Sequence, residues 1–328
     1  MEIRPFLEIE SRRKTSEAAE SSAYGQCCQD RPAVRFPAMR KIVLLLLVTF
    51  ALASCKKKAE TAPQAAATPA ATTSSSAPAP APKGLSPIPN VALPSTAPIP
   101  GAGLALWLIG DDAMKSAGGG KLASWTNPLA PTASASATEA TSQPAVAANA
   151  INGHAAARFD GEANMLKTNI DISPASWPDV TIFTVFNSAT DVNNPLRSVY
   201  GDDNGDYDRA AGLDDRSGDA NNYVIFTGDK GVAGYFALKP NQPYLSTDQY
   251  TATEFKGWID GKQSLTRSEI HWGEALPNMY IGGTGTSFNQ FWKGDIAEMI
   301  VYARVLTDAE RTQVEDYLAK KFGVALAR

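Results

Sequence analysis

From Gly101 onward the chain is cut into short apolar runs, each stopped by Gly, Asn, Asp or Pro. This punctuation constrains the fold more than any other feature, because runs of that length suit strands and fall short of most helices. The runs are LALWLI (104–109), AAARF (155–159), VTIFTVFN (180–187), YVIFT (223–227), VAGYFAL (232–238), EFKGWI (254–259), MYI (279–281) and IAEMIV (296–301). Asp160-Gly161, Gly228-Asp229 and Asp260-Gly261 stand at the breaks. Asp-Gly between such runs is the strongest short hairpin signal. Many short strands with turns between them predict an all-β sandwich or barrel. One segment departs from this pattern. Thr307-Asp308-Ala309-Glu310 is a capping box, and Val314, Tyr317, Leu318 and Phe322 then fall on one helical face. Lys320 and Lys321 complement the negative end of the dipole and Gly323 terminates, so one C-terminal helix is expected.

The N-terminal third reads differently. Met39-Arg40-Lys41 is a basic flank, and the apolar run 42–54 has the length of an export signal rather than of a membrane span. It ends Leu52-Ala53-Ser54-Cys55, which resembles a bacterial lipoprotein lipobox. The resemblance implies cleavage before Cys55 and lipidation of its thiol, and two or more acyl chains would anchor stably. Residues 1–38 precede this signal without any period, which points to a start at Met39. Residues 55–100 are dominated by Ala, Pro, Ser and Thr and form an extended tether with no core of its own. Lys56-Lys57-Lys58 suits anionic headgroups, and Lys56 in place of Asp favours the outer over the inner membrane. The expected organisation is therefore a leader at 1–38, a signal peptide at 39–54, a lipidated tether at 55–100 and a domain at 101–328. Of the three cysteines, Cys27, Cys28 and Cys55, none lies in the domain, so it must be held by its core alone.

FWKGDIAEMIVYARVLTDAERTQVEDYLAKKFG (291–323) resembles the end of bacterial laminin-G-like, concanavalin A-like lectin domains: a Gly-acid-Ile strand, an aromatic, Arg-x-Leu, then a capped helix. LALWLIG (104–110), INGHAAARFDG (151–161) and MYIGG (279–283) fit the same family. The resemblance spans the chain from Gly101 on. It implies a jelly-roll sandwich of two antiparallel sheets, and a binding role more often than a catalytic one. Many relatives read Ile-Asp-Glu where this chain has Ile296-Ala297-Glu298.

The stretch GDDNGDYDRAAGLDDRSGD (201–219) concentrates carboxylates. Calcium takes six to eight oxygens from carboxylates, amides and carbonyls on a turning backbone. Asp202, Asp203, Asn204, Asp206 and Asp208 are the ligands such a site would use, with Asp214-Asp215 as a second contributor. Tyr207 stands where an EF-hand needs glycine, which excludes that motif. The other reading is a solvated acidic loop with Asx turns. So many like charges raise one another's pKa unless a cation, or Arg209 and Arg216, offsets them.

Catalytic patterns are sparse. The paired acids of glucanases on this fold are missing, and Glu298 stands alone on its strand. The two histidines, His154 and His271, have no serine signature beside them and make a poor zinc set. Acidic residues outnumber basic ones from Gly101 on, which disfavours nucleic acid. Sugar sites stack exposed rings on pyranose faces beside polar groups. Tyr207, Arg209, Trp272 and Trp292 are the expected ligand contacts, while Trp107, Trp125 and Trp258 lie in strand-like runs and are expected in the core. The sequence thus predicts a lipid-anchored envelope protein whose lectin-like domain binds a glycan or another surface ligand without catalysis, assisted by calcium if the acidic stretch is a metal site rather than a solvated loop. A hydrolase centred on Glu298 and a protein-binding adhesin stay open.

Overall fold

The computed structural model describes residues 91, 93–111, 114–116 (backbone only), 120–127, 129–130, 133–189, 196–214, 222–285 and 290–328. All belong to the second of two compact units, 75–328. The expectations for residues 1–90, including lipidation at Cys55, lie outside the described residues, as do Asp215 and Arg216.

The strands in chain order are β1 (Leu104–Ile109), β2 (Met114–Ser116), β3 (Leu122–Thr126), β4 (Ser134–Ser136), β5 (Ala145–Ile151), β6 (His154–Asp160), β7 (Leu166–Thr168), β8 (Val180–Ser188) and β9 (Leu196–Gly201). They continue as β10 (Ala210–Asp214), β11 (Asn222–Phe226), β12 (Val232–Ala237), β13 (Tyr244–Tyr250), β14 (Phe255–Ile259), β15 (Lys262–Arg267), β16 (Tyr280–Ile281) and β17 (Lys293–Tyr302), and helix α1 (Asp308–Phe322) closes the chain. One sheet runs β15-β14-β13-β8-β17-β6-β5, with β1 also on β17. The other runs β12-β11-β10-β9-β16-β7-β4-β3-β2. Every pairing between named strands is antiparallel. This is the all-β sandwich with one C-terminal helix expected from the sequence.

The main core lies between the sheets and includes Trp125, Phe159, Ile182, Phe186, Tyr223, Trp292, Met299 and Val301. A second core lies on the outer face of the first sheet, where Val314, Leu318 and Phe322 of α1 meet Leu104, Trp107, Phe183, Val185 and Ile300. Full burial of each such side chain is worth about 1.5–3 kcal/mol. The helix forms as its sequence dictates. The Thr307 hydroxyl accepts from the Glu310 amide, Glu310 reaches back to the Thr307 amide, and Gly323 ends the helix at φ 64°. The hairpin β14–β15 turns on Asp260 and Gly261 at φ 51° and 77°, as Asp-Gly predicts.

β17 holds the centre of its sheet. Its first half pairs with β6, its second half with β1, and its other edge with β8. The register slips between Ile296 and Glu298, leaving Ala297 as the extra residue of a bulge. Ile296 and Met299 therefore face the main core, while Ala297 and Ile300 face the helix-side core. Glu298 meets the helix too: its carboxylate accepts from Trp107 Nε1 at 2.8 Å, Tyr317 OH at 2.9 Å and Lys321 Nζ at 2.8 Å.

Candidate functional site

The acidic stretch is not one loop. Gly201 ends β9, residues 202–209 form the connection, and Ala210–Asp214 is a fully buried strand. Two of the expected calcium ligands are sealed inside. Asp202 and Asp208 are both 0% exposed, and Asp202 Oδ1, Asp202 Oδ2 and Asp208 Oδ1 have no hydrogen-bond partner among the described residues. Burial pushes the Asp202 carboxyl well above the usual range, opposed by the Arg209 charge and helped by Asp208, and it pushes Asp208 up to about 6, helped by Asp203 and Asp206. The other three serve the loop. Asp203 Oδ1 accepts from the amides of Gly205 and Asp208, each at 3.1 Å. Asn204 Nδ2 donates to the Glu274 carbonyl, and Asp206 is exposed. A buried carboxylate without a partner is costly unless it is protonated or meets a cation. Three hard oxygens from two residues suit calcium chemically. Among the described residues no three acidic, histidine or cysteine side chains converge into a metal cluster, so calcium here would also draw on backbone carbonyls.

Three loop segments meet beside these carboxylates. Gly205, Asp206 and Tyr207 face Gly228, Asp229 and Gly231, and His271, Trp272 and Gly273 close a groove of about 420 Å³. Three features hold the segments in place. Tyr207 adopts φ 60°, a region unusual for a non-glycine residue, and its carbonyl accepts from the Gly228 amide at 2.7 Å. Asp229 bridges to the third segment: its amide donates to the His271 carbonyl, and its carboxylate accepts from the His271 amide at 2.9 Å and lies 3.0 Å from Nδ1. Gly273 supplies the close approach. A Cβ there would stand 3.1 Å from Asp206 Cβ and 3.2 Å from Asp208 Oδ1, so a side chain would press the loop a few tenths of an ångström off both aspartates.

The Trp272 ring is fixed before any ligand arrives. Its Nε1 donates to the Thr251 carbonyl at 3.0 Å, Tyr250 meets it edge-on, and the Arg209 guanidinium lies 5.5 Å from its centroid. The ring is only partly exposed. Tyr207, also partly exposed, packs edge-on against Phe226. Two of the three aromatic residues expected as ligand contacts, Tyr207 and Trp272, thus line the same groove.

Arg209 and Trp292 are corrected. Arg209 is 0% exposed, and its guanidinium donates to the carbonyls of Ile172, Trp177 and Pro178 at 2.6–2.7 Å. Burial lowers its pKa to about 10. It supports Trp272 from behind and presents no donor to a ligand in the groove. Trp292 is 0% exposed and packs edge-on against Phe186 in the main core. It directly precedes β17, and the strand turns its ring inward. Trp107, Trp125 and Trp258 are buried as expected. Glu298 is sealed under α1 with all three partners in place, which removes the geometry a hydrolase centred on it requires. The sequence reading missed Asp229 and His271 as groove residues. The signal was present in the Gly228-Asp229 turn and in the His271-Trp272 dipeptide, but their pairing across 42 residues is tertiary.

No family model matches the chain, and no curated protein matches it. Solved structures do show similarity. A Trypanosoma rangeli sialidase in complex with the inhibitor DANA aligns over 66% of this chain at 15% identity with a TM-score of 0.46, and this chain spans 33% of the sialidase's length. Domain 4 of AbnA, a GH43 extracellular arabinanase from Geobacillus stearothermophilus in complex with arabinotriose, aligns over 53% of this chain and 80% of its own at 16% identity and a TM-score of 0.40. The binding domain of Botulinum neurotoxin serotype D aligns over 68% of this chain and 54% of its own at 10% identity and a TM-score of 0.46.

Proposed function

We propose that this chain is a lipid-anchored envelope protein, carried on the outer membrane through Cys55, whose sandwich binds glycans without catalysis in the groove between residues 205–207, 228–231 and 271–273. One observation carries the reading: Tyr207 and Trp272, with Asp206, Asp229 and His271, are gathered from distant parts of the chain into one groove. A ring locked by its own hydrogen bond is preorganised for stacking on a pyranose face, and the carboxylates and imidazole beside it bond hydroxyls. Calcium is part of this proposal. Asp202 and Asp208 would hold it, and its charge would stabilise the loop that carries Asp206 and Tyr207.

A glycan array probed with the full chain, in calcium and again in chelator, tests both parts. Binding lost in chelator supports a cation-organised site. Binding unchanged in chelator removes calcium and keeps the glycan reading. No binding in either condition overturns the glycan reading and favours the protein-binding adhesin.

A further inference from the structure

Much of the groove's donor capacity is spent within its own loops. The amides of Gly205, Gly228, Asp229, Gly231 and His271 already donate within the loops. Trp272 spends its only side-chain donor on Thr251. What faces outward is different in kind. Asp206 is exposed, and its Oδ2 lies 3.6 Å from where a Gly273 side chain would begin, so the carboxylate leans over the groove floor. Directly beneath that floor, Asp208 Oδ1 is buried and unpartnered, 3.2 Å from the same point. His271 adds a third polar group. Its Nδ1 lies 3.0 Å from the Asp229 carboxylate, so Nε2 is the ring nitrogen left for a ligand, on a side chain 80% exposed. Lys230, 3.7 Å from Asp229, is the nearby cation and is tied to that carboxylate.

Resting on the glycan-binding reading, we infer that the groove selects sugars bearing a free ammonium and rejects acidic sugars, with Asp206 receiving the ammonium, Trp272 the ring face and His271 Nε2 a hydroxyl. A ligand carboxylate seated beside Asp206 and Asp229 meets like charge at close range. An ammonium supplies three donors and a complementary charge. N-acetylation of the same amine removes the charge and two of the donors while leaving the pyranose face intact. The comparison therefore isolates Asp206 from the stacking interaction.

The test is titration calorimetry of the full chain against three probes of equal length: a glucosamine tetramer, its fully N-acetylated form and an oligogalacturonate tetramer. It is run with and without calcium at low ionic strength. The expected order is amine first by at least about fivefold, N-acetyl second, and acidic sugar without measurable binding. Asp206→Asn, an exposed substitution that leaves the circular dichroism unchanged, should bring the amine to N-acetyl ratio close to one. If the N-acetylated or acidic tetramer binds as well as the amine, the charge selection is overturned and the glycan reading survives. If the preference persists in Asp206→Asn, the assignment of the ammonium to Asp206 is overturned. If no tetramer binds and a glycan array is also blank, the glycan reading itself fails and takes this inference with it.

Discussion

Asp248 sits in the middle of a buried strand and looks misplaced by hydropathy alone. Tyr200 OH donates to one of its oxygens at 2.9 Å and Tyr235 OH to the other at 2.7 Å, so a β13 carboxyl ties its own sheet to β9 and β12 opposite. Burial still dominates and raises its pKa to about 7. A folded pKa above the unfolded value of 3.8 gives stability that is full below about pH 4 and lost as pH rises through 7. A shift of that size corresponds to a few kcal/mol, on the order of 1.4 kcal/mol per unit. Chemical denaturation of the calcium-free chain at pH 5 and pH 8 should show this loss, and Asp248→Asn should flatten it. An unchanged slope would mean the carboxylate finds compensation in the folded state. Glu298 is also raised by burial, with the Lys321 ammonium working against the rise. Glu298→Ala would leave Trp107 Nε1, Tyr317 OH and Lys321 without their acceptor, and removing one partner of such a buried set costs about 3–5 kcal/mol. Ligand affinity measured below the new melting point should stay at the wild-type value. The corrected residues follow the same logic. Arg209 and Trp292 read as surface groups because a charge and an indole beside glycine and lysine look solvated. Arg209 is buried because three carbonyls 31–37 residues away receive it, and no local pattern shows such partners.

At the scale of elements, legibility followed apolarity. The runs at β1, β6, β8, β11, β12, β14 and β17 were visible because burial on one or both faces demands Val, Ile, Phe and Leu. β13, Tyr244–Tyr250, was not, although every residue in it is buried. Its interior reads Ser246-Thr247-Asp248-Gln249, and these polar groups are satisfied by Tyr223, Glu315, the two tyrosines above and the Leu306 carbonyl. A strand whose hydrogen bonds are made to other elements leaves no hydrophobic period. The acidic segment shows the reverse error: β10 was absorbed into a loop because aspartates flank it. The helix was legible in full, since capping is local. Thr307→Ala removes the hydroxyl that receives the Glu310 amide and should cost about 1 kcal/mol, read as a lower midpoint in urea with an unchanged slope.

Over the whole molecule, the buried carboxylates link pH to stability, and on the calcium proposal they link metal to both. Asp202, Asp208 and Asp248 are all raised by burial, so the metal-free fold should melt higher at mildly acidic than at neutral pH. Calcium at about one hundred times its dissociation constant should restore roughly 2.7 kcal/mol, more at higher pH, where fewer protons must be displaced. Asp202→Asn should abolish that gain, and a gain that survives the substitution would place the ion elsewhere. The tryptophans offer a second global readout. Trp107, Trp125, Trp177, Trp258 and Trp292 are each 5% exposed or less, and only Trp272 reaches the groove. Iodide should therefore quench one emitter of six, a bound sugar should protect it, and Trp272→Phe should silence the response.

The bulge at Ala297 has a consequence best stated as parity. A strand assigns its side chains to odd and even sides, and β17 changes that assignment once, at a single supernumerary residue. Before it, even positions serve the sandwich; after it, odd positions do. Forcing β17 into a regular strand at its present length would act as a frameshift in space rather than in code. Met299 and Val301 would trade sides with Ile300 and Tyr302, and the acid under the helix would be turned into the interior. Ala297 absorbs that step as the extra residue, so its deletion would leave every other side chain of β17 on the side it now occupies.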